Sequence, residues 1–339
     1  MAPAASISFG PLIGGYLVDD YSWHLIFDVN VPVGLAAILF AIFIQKEWRG
    51  ARAGSFDWPG FLCVVCFMPL LIFALARGNS PLNPEGWSSP EVIGCFAVAA
   101  AALIVFIVRE LRCENPLLNL KLLGERNFGV SMAVLAIFGI GMLGGTYLLP
   151  LYMQKGLGYT AIMAGSVFLP VGLIQGVLST CSGFLTRYIK PLFIAVTGIL
   201  VMTLSFYFAS RFTLHTTHAQ IMLVLYLRGF GMGLTFAPLN DFSLMNLSQR
   251  DMASAAGISN SIKQLSGSVS IALLTVILTG RTAFHSAQGG LSSAESYVAG
   301  ISDDFLFVTF VSLASALPFL WLLRPRRKAA SFKSEGTGT

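Results

Sequence analysis

The sequence predicts an all-α integral membrane protein, a bundle of about ten transmembrane helices. Three observations predict it. Of the 339 residues, 55% are apolar and only 11% charged, where soluble domains carry about a quarter charged residues. The charges gather in short breaks between apolar runs of the length that crosses a hydrocarbon core, about 20 residues. The Lys and Arg residues also alternate between those breaks as membrane topology requires.

In order, the apolar runs are 2–18, 26–45, 58–77, 90–109, 129–152, 160–184, 190–210, 219–240, 257–280 and 304–323. Pro69, Pro170, Gly198, Pro238 and Pro318 interrupt them, as is common in membrane helices. Outer-membrane strands would alternate apolar and polar residues, whereas these runs are apolar on all sides.

The breaks also orient the chain. Lys46, Arg49, Arg52, Arg109, Arg112, Lys121, Arg126, Arg187, Lys190, Arg250, Arg324, Arg326, Arg327, Lys328 and Lys333 fall in one alternate set; Arg77, Lys155, Arg211 and Arg281 fall in the other. Basic residues concentrate on the cytoplasmic side. The first set, with the C-terminus, is therefore assigned there. The net charge of +5 follows from this topology and asks for no nucleic-acid partner.

The first run has 17 residues and no basic flank. No charged segment precedes it and no small-residue cleavage site follows before Asp19 and Asp20, so it does not read as a signal peptide. The chain is expected to open partway through a helix. Five cysteines make no disulfide framework. Cys63 and Cys66 form a C-x-x-C inside an apolar run, and Cys95 and Cys181 read as small hydrophobes. His24, His215, His218 and His285 are all expected in outer loops. His215 and His218 have metal-ligand spacing but no carboxylate or thiol beside them, so no metal site is predicted.

Gly10, Pro11, Gly14 and Gly15 close the first run. Glycines at this spacing let helices approach closely, and proline bends the backbone. The second opens with Trp23, Ile26, Phe27, Asn30, Pro32 and Gly34 at the spacing W-x-x-I-F-x-x-N-x-P-x-G. These residues resemble the fourteen-helix drug:proton antiporters of the EmrB/QacA type in the major facilitator superfamily. There G-P-x-x-G-G ends the fifth helix and the second motif opens the sixth. Asp28 stands where the family is usually apolar. Gly158-Tyr159-Thr160 through Ala164-Gly165, followed by Leu169-Pro170-Val171-Gly172, extends the likeness.

The resemblance implies a major-facilitator bundle lacking the family's first four helices. Residues 1–45 would be the remnant of an N-terminal bundle, 57–109 an extra hairpin, 127–323 a six-helix bundle and 324–339 a cytoplasmic tail. It implies efflux of amphipathic toxic compounds by proton antiport with alternating access, in a bacterial plasma membrane. No cofactor beyond the proton gradient is expected, and a periplasmic adaptor is an expected partner. The interface motif would be Gly10, Pro11, Gly14, Gly15, Asn30 and Pro32.

Arg228 is the most informative single residue. A charge within a span costs about 2.5–3.5 kcal/mol on insertion scales, which points to a polar interior. The segment Leu227–Gly233 resembles the family's R-x-x-x-G motif, and Arg228, Gly229 and Gly233 are cavity candidates. Asn260, Lys263 and Gln264 are further candidates to line that cavity, with snorkelling an equal reading for Lys263. Asp241 is a solvated helix end or a gating partner of Arg250 or Lys263. Phe138, Tyr147, Tyr152, Phe206, Tyr207, Phe230 and Phe236 are packing or binding-surface aromatics.

No acid is expected deep in any run. By the resemblance, proton-coupling groups sit largely on helices that would precede Met1. Two alternatives stay open beside an active exporter. One is a truncated fragment, or a subunit needing the missing helices; the other is a metabolite or siderophore exporter of the same fold. An embedded enzyme is disfavoured, because acids and histidines do not gather at one depth.

Overall fold

The computed structural model describes residues 2–44, 57–78, 80, 83–113 and 118–322; the side chains of 2–8, 250, 320 and 322 are not among them. Lys46, Arg49, Arg52 and the 324–339 tail lie outside the described residues.

The described residues are helical almost throughout. α1 spans Ala2–Asp20, α2 Leu25–Asp28 and α3 Asn30–Ile44. α4 (Trp58–Gly78) and α5 (Pro90–Arg112) form a hairpin. Then come α6 (Arg126–Leu151), a π-helical turn at Tyr152–Gly156, α7 (Ala161–Ser166), α8 (Leu169–Leu185) and α9 (Pro191–Ala209). α10 (His218–Leu244), α11 (Met252–Ala287), α12 (Ser293–Ala314) and α13 (Leu317–Leu322) complete the chain.

Nine helical stretches among the described residues are long and apolar enough to cross a membrane, from Leu25–Ile44 to Ser293–Phe319. They correspond to the second through tenth predicted runs. The first run is an α-helix, α1, but not among those nine.

Two helix ends depart from the sequence reading. The last helix begins at Ser293 and not near 304, because Ser292 and Glu295 close a capping box. The Ser292 hydroxyl accepts from the Glu295 amide, and the Glu295 carboxylate accepts from the Ser292 amide. This satisfies two of the amides a helix start leaves open. Likewise α11 runs on to Ala287. Arg281 and His285, expected in an outer break, are therefore helical; His218 is the first residue of α10. Asp303 and Asp304 lie inside α12, which corrects the expectation that no acid enters a span.

α6 is the hub. It packs on α10, α11, α12 and α13, while α10 lies between α8 and α9, and α9 against α12. Glycines set these distances. A Cβ on Gly198 of α9 would lie 2.8 Å from the Thr235 amide nitrogen of α10, and one on Gly231 would lie 2.9 Å from the Gly198 carbonyl. Lipid is as apolar as leucine, so such backbone approach carries much of the association. α3 packs chiefly against α2, and none of its residues is buried.

The α4–α5 hairpin carries its own polar clasp. Asp57 caps α4 by accepting from the Gly60 amide at 3.1 Å, and Arg109 of α5 donates to it at 2.7 Å. Burial alone pushes the Asp57 carboxyl up, but the Gly60 amide and the Arg109 guanidinium outweigh it and hold the group below the ordinary aspartate value. A lowered value contributes stability that is present above the unfolded-state pKa, about 3.9, and is lost as pH falls through the folded-state value. Asp57→Asn is expected to speed amide exchange at the start of α4 at neutral pH. Wild type and variant should converge when the pH is taken well below 3.9.

Candidate functional site

Two features stand out as functional geometry: the contact of α1 with α7 and α8, and a polar pocket where α10 ends and α11 begins.

At the first, backbone meets backbone. A Cβ on Gly15 would lie 2.5 Å from the Ala161 carbonyl oxygen, and one on Gly165 would overlap the Pro11 carbonyl, with the carbonyl carbon at 2.8 Å. A carboxylate completes the contact. Asp19, at the end of α1, accepts from the amides of Ala161 and Ile162 at 3.3 and 2.7 Å. Thr160 serves the next amide, Met163, at 3.2 Å, and the Ala164 amide donates to the Thr160 carbonyl. The start of α7 thus has partners for its amides, as a helix N-terminus requires.

Pro11 and Gly15 of the predicted motif are therefore brought onto α7. Gly10 and Gly14 are not; a Cβ on either meets nothing within 4 Å. Asn30 donates to the Ile26 carbonyl at 2.9 Å, joining α2 to α3, and Pro32 is exposed on α3. The sequence reading used Asp19 only as a break in hydropathy. Its position beside a helix that begins after Thr160 is a tertiary fact with no local signal.

The pocket has a volume of about 360 Å³ and lies among α6, α8, α10 and α11. Met132, Phe236, Asn240, Ser259, Asn260 and Lys263 are among its lining residues. Apolar walls with a few polar groups and one cation suit an amphipathic ligand. Of the predicted cavity residues, Asn260 and Lys263 meet here. Gln264 is exposed on α11 and outside this lining. Asp241 is exposed at the end of α10 and makes no ion pair with Lys263; the side chain of Arg250 is outside the described residues.

Arg228 is 2% exposed. Its Nη2 donates to the Met142 carbonyl at 3.0 Å and to the Thr146 hydroxyl, both on α6. Its Nε and Nη1 have no partner among the described residues. Gly229 and Gly233, expected to line a cavity, are instead packing surfaces. A Cβ on them would lie 2.9 Å from the Val171 carbonyl and 2.6 Å from Leu178 Cβ, both on α8. Among the aromatics, Phe138, Tyr152 and Phe206 are buried, Tyr207 and Phe230 are exposed, and Phe236 borders the pocket, edge-on to Phe138. All five cysteines are free, and no group of metal-ligating side chains exists among the described residues.

A multi-pass helical bundle, glycine-packed, with a buried cation and a pocket between four helices, is the build of a membrane transport protein. Comparison with known proteins gives the family. Residues 1–271 match the model of the Major Facilitator Superfamily, and the chain belongs to that family.

It is 31% identical over 280 residues to the uncharacterized MFS-type transporter YhcA of Bacillus subtilis, covering 82% of this chain and 52% of that protein. It is 30% identical over 282 residues to the multidrug export protein EmrB of Escherichia coli K12, covering 82% and 54%. To the lincomycin resistance protein LmrB of Listeria innocua it is 25% identical over 321 residues, covering 94% and 67%. The chain spans about half the length of the first two.

The α1 contact yields a paired test. Gly165→Ala forces an atom into the Pro11 backbone, and such overpacking costs about 1–3 kcal/mol; the thermal unfolding midpoint should fall. Gly14→Ala, with open space at its Cβ, should leave the midpoint in place. Equal midpoints for the two variants would refute the packing described.

Proposed function

We propose that this chain works in the export of amphipathic, often cationic, compounds across a bacterial plasma membrane, by proton antiport with alternating access. The observation that carries the reading is the α1 contact with α7 and α8, made by Pro11 and Gly15 of the exporter-like motif. The relatives support it: EmrB bears the name of a multidrug export protein and LmrB that of a lincomycin resistance protein.

In this reading residues 1–45 belong to an N-terminal bundle, 57–109 to an accessory hairpin, 127–323 to the C-terminal bundle and 324–339 to a cytoplasmic tail. The basic-residue bias assigns the C-terminus to the cytoplasm. The end of α1 with Asp19 then lies on the outer side, and the pocket of Asn260 and Lys263 on the inner. Substrate would enter that pocket from the cytoplasm or inner leaflet, between α10 and α11. Arg228 would hold α10 against α6 as the bundle moves. A periplasmic adaptor is proposed from the family resemblance alone.

A second reading, that this chain needs a partner to transport, is favoured by α3, an apolar helix with no buried residue. Dye efflux from cells expressing this chain decides between them. The exporter reading expects efflux that a protonophore abolishes and that Arg228→Met slows at least about tenfold, a barrier change of about 1.4 kcal/mol. The thermal midpoint of Arg228→Met should hold or rise, because an apolar replacement removes unpartnered buried donors. No efflux above empty-vector cells would leave the partner-dependent reading.

A further inference from the structure

α12 carries two adjacent acids in different situations. Asp303 is half-exposed and paired: Arg281 donates to it at 2.6 Å and His285 Nε2 lies 2.8 Å away, both from α11. Asp304 is 0% exposed, and neither carboxyl oxygen has a hydrogen-bond partner among the described residues. It lies eleven residues into α12, about 16 Å along the axis, in a span long and apolar enough to cross the membrane.

Asp304 does not stand alone. Counting back along α12 by fours gives Gly300 and Ser296, one stripe on one helix face. Ser296 is also 0% exposed and its hydroxyl is unpartnered. A Cβ on Gly300 would lie 2.6 Å from the Thr282 hydroxyl of α11, a fourth buried oxygen without a partner among the described residues. Four unpartnered buried oxygens thus lie along this face of α12 and at its contact with α11, in a protein interior where such groups are rare. Beside the start of that seam is a pocket of about 530 Å³, lined by Arg211, His215, His285, Glu295, Ser302 and Asp303 among others.

We propose that Asp304 is a proton-binding site of the C-terminal bundle, reached from the pocket near the start of α12 along the seam of Ser296, Gly300 and Thr282. An ionised carboxylate in an apolar interior without a partner carries a heavy desolvation penalty; adding a proton removes the charge. A hydronium ion at the pocket supplies the proton: its O–H bond breaks to leave water as an O–H bond forms on the carboxyl, release to water reverses both, and no oxidation state changes.

The titratable groups on the elements packed against α12 are few. α11 brings Arg281 and His285, both engaged by Asp303. α6 brings Tyr147, bonded to Thr275 at 3.1 Å. The π-helical turn brings Tyr152, which donates to the Thr213 carbonyl, and Lys155, set over the Tyr297 ring. α9 brings Tyr207, engaged by Arg211. On α12 itself, Asp303 and Tyr297 act on Asp304 through space. None supplies the full cationic partner that would hold Asp304 as an ion.

The proposal rests on the antiport reading for what the proton drives, but not for where it binds, and its test needs no transport. Infrared difference spectra of the purified chain in nanodiscs are recorded against pH. The expected result is a carboxylic-acid C=O band that varies with pH, is absent in Asp304→Asn and is retained in Glu91→Gln, an exposed control. Exchange into D₂O should shift the band in wild type and do so more slowly in Thr282→Val/Ser296→Ala.

If Asp304→Asn does not fold, Asp304→Glu serves instead; the band should stay but move in frequency. A band unchanged in Asp304→Asn or Asp304→Glu, or no such band in wild type, overturns the site. A band changed by sodium at fixed pH overturns the assignment to protons. With the band assigned but dye efflux insensitive to a protonophore, the antiport reading fails and the site stands.

Discussion

Close approach of helix backbones at glycine is the constraint on which the rest of this structure depends. In water, a helix bundle is driven together by apolar burial. In a bilayer the solvent is itself apolar, and neighbouring helices gain mainly what contact and internal hydrogen bonding give. Here Gly198 and Gly231 bring α9 to α10, Gly229 and Gly233 bring α10 to α8, and Gly15 and Gly165 bring α1 to α7. Each pair replaces a side-chain layer with backbone contact, so the helices interlock in register. Such contacts break or form as units, which is the mechanical property a rocking bundle needs.

Close packing at glycine also determines where polar side chains can sit. Arg228 lies one residue before Gly229, on a helix pressed against α8 and α9, so its guanidinium is turned towards α6. It finds two acceptors there and leaves two nitrogens unpaired. Asp304 is fully buried on α12, one turn after Gly300, which packs against Thr282 of α11. A buried cation and a buried acid thus occupy separate places, Arg228 at the α10–α6 contact and Asp304 on α12, and neither pairs with the other. Polar groups inside a membrane tend to be functional for this reason: a structural role would have been met by pairing or by removal.

The sequence made the helices legible because hydrocarbon thickness sets their length and cytoplasmic bias sets the sign of the breaks. It was weaker at helix ends that extend past the apolar run. Residues 293–303 contain Ser, Glu and Asp and read as a loop, yet Ser292 and Glu295 cap a helix that starts there. The capping signature S-x-x-E was present and would have moved the boundary, bringing Asp303 and Asp304 inside. Asn260 and Lys263 were legible as a polar pair on one helix face. Gly229 and Gly233 were not separable from cavity residues, because spacing alone does not say whether a glycine faces a neighbour or a void. Asp19 had no local signal at all, since its partners lie 142 and 143 residues away.

Under the proposed orientation, the two ends of the molecule differ in a way that bears on the transport cycle. The outer end is tied. Asp19 caps α7, and Gly15 and Gly165 interlock beside it. The inner end holds the pocket of Asn260 and Lys263, among α6, α8, α10 and α11. To expose that pocket to the outside, α1 must part from α7, uncovering the Ala161 and Ile162 amides and the Asp19 carboxylate together. In water, at the edge of the bilayer, solvent replaces those bonds at small net cost. In the hydrocarbon core the same separation would strand them. The placement of the clasp at a helix end, with bare glycine contact deeper along α1, keeps the breakable polar bonds where water can take them over.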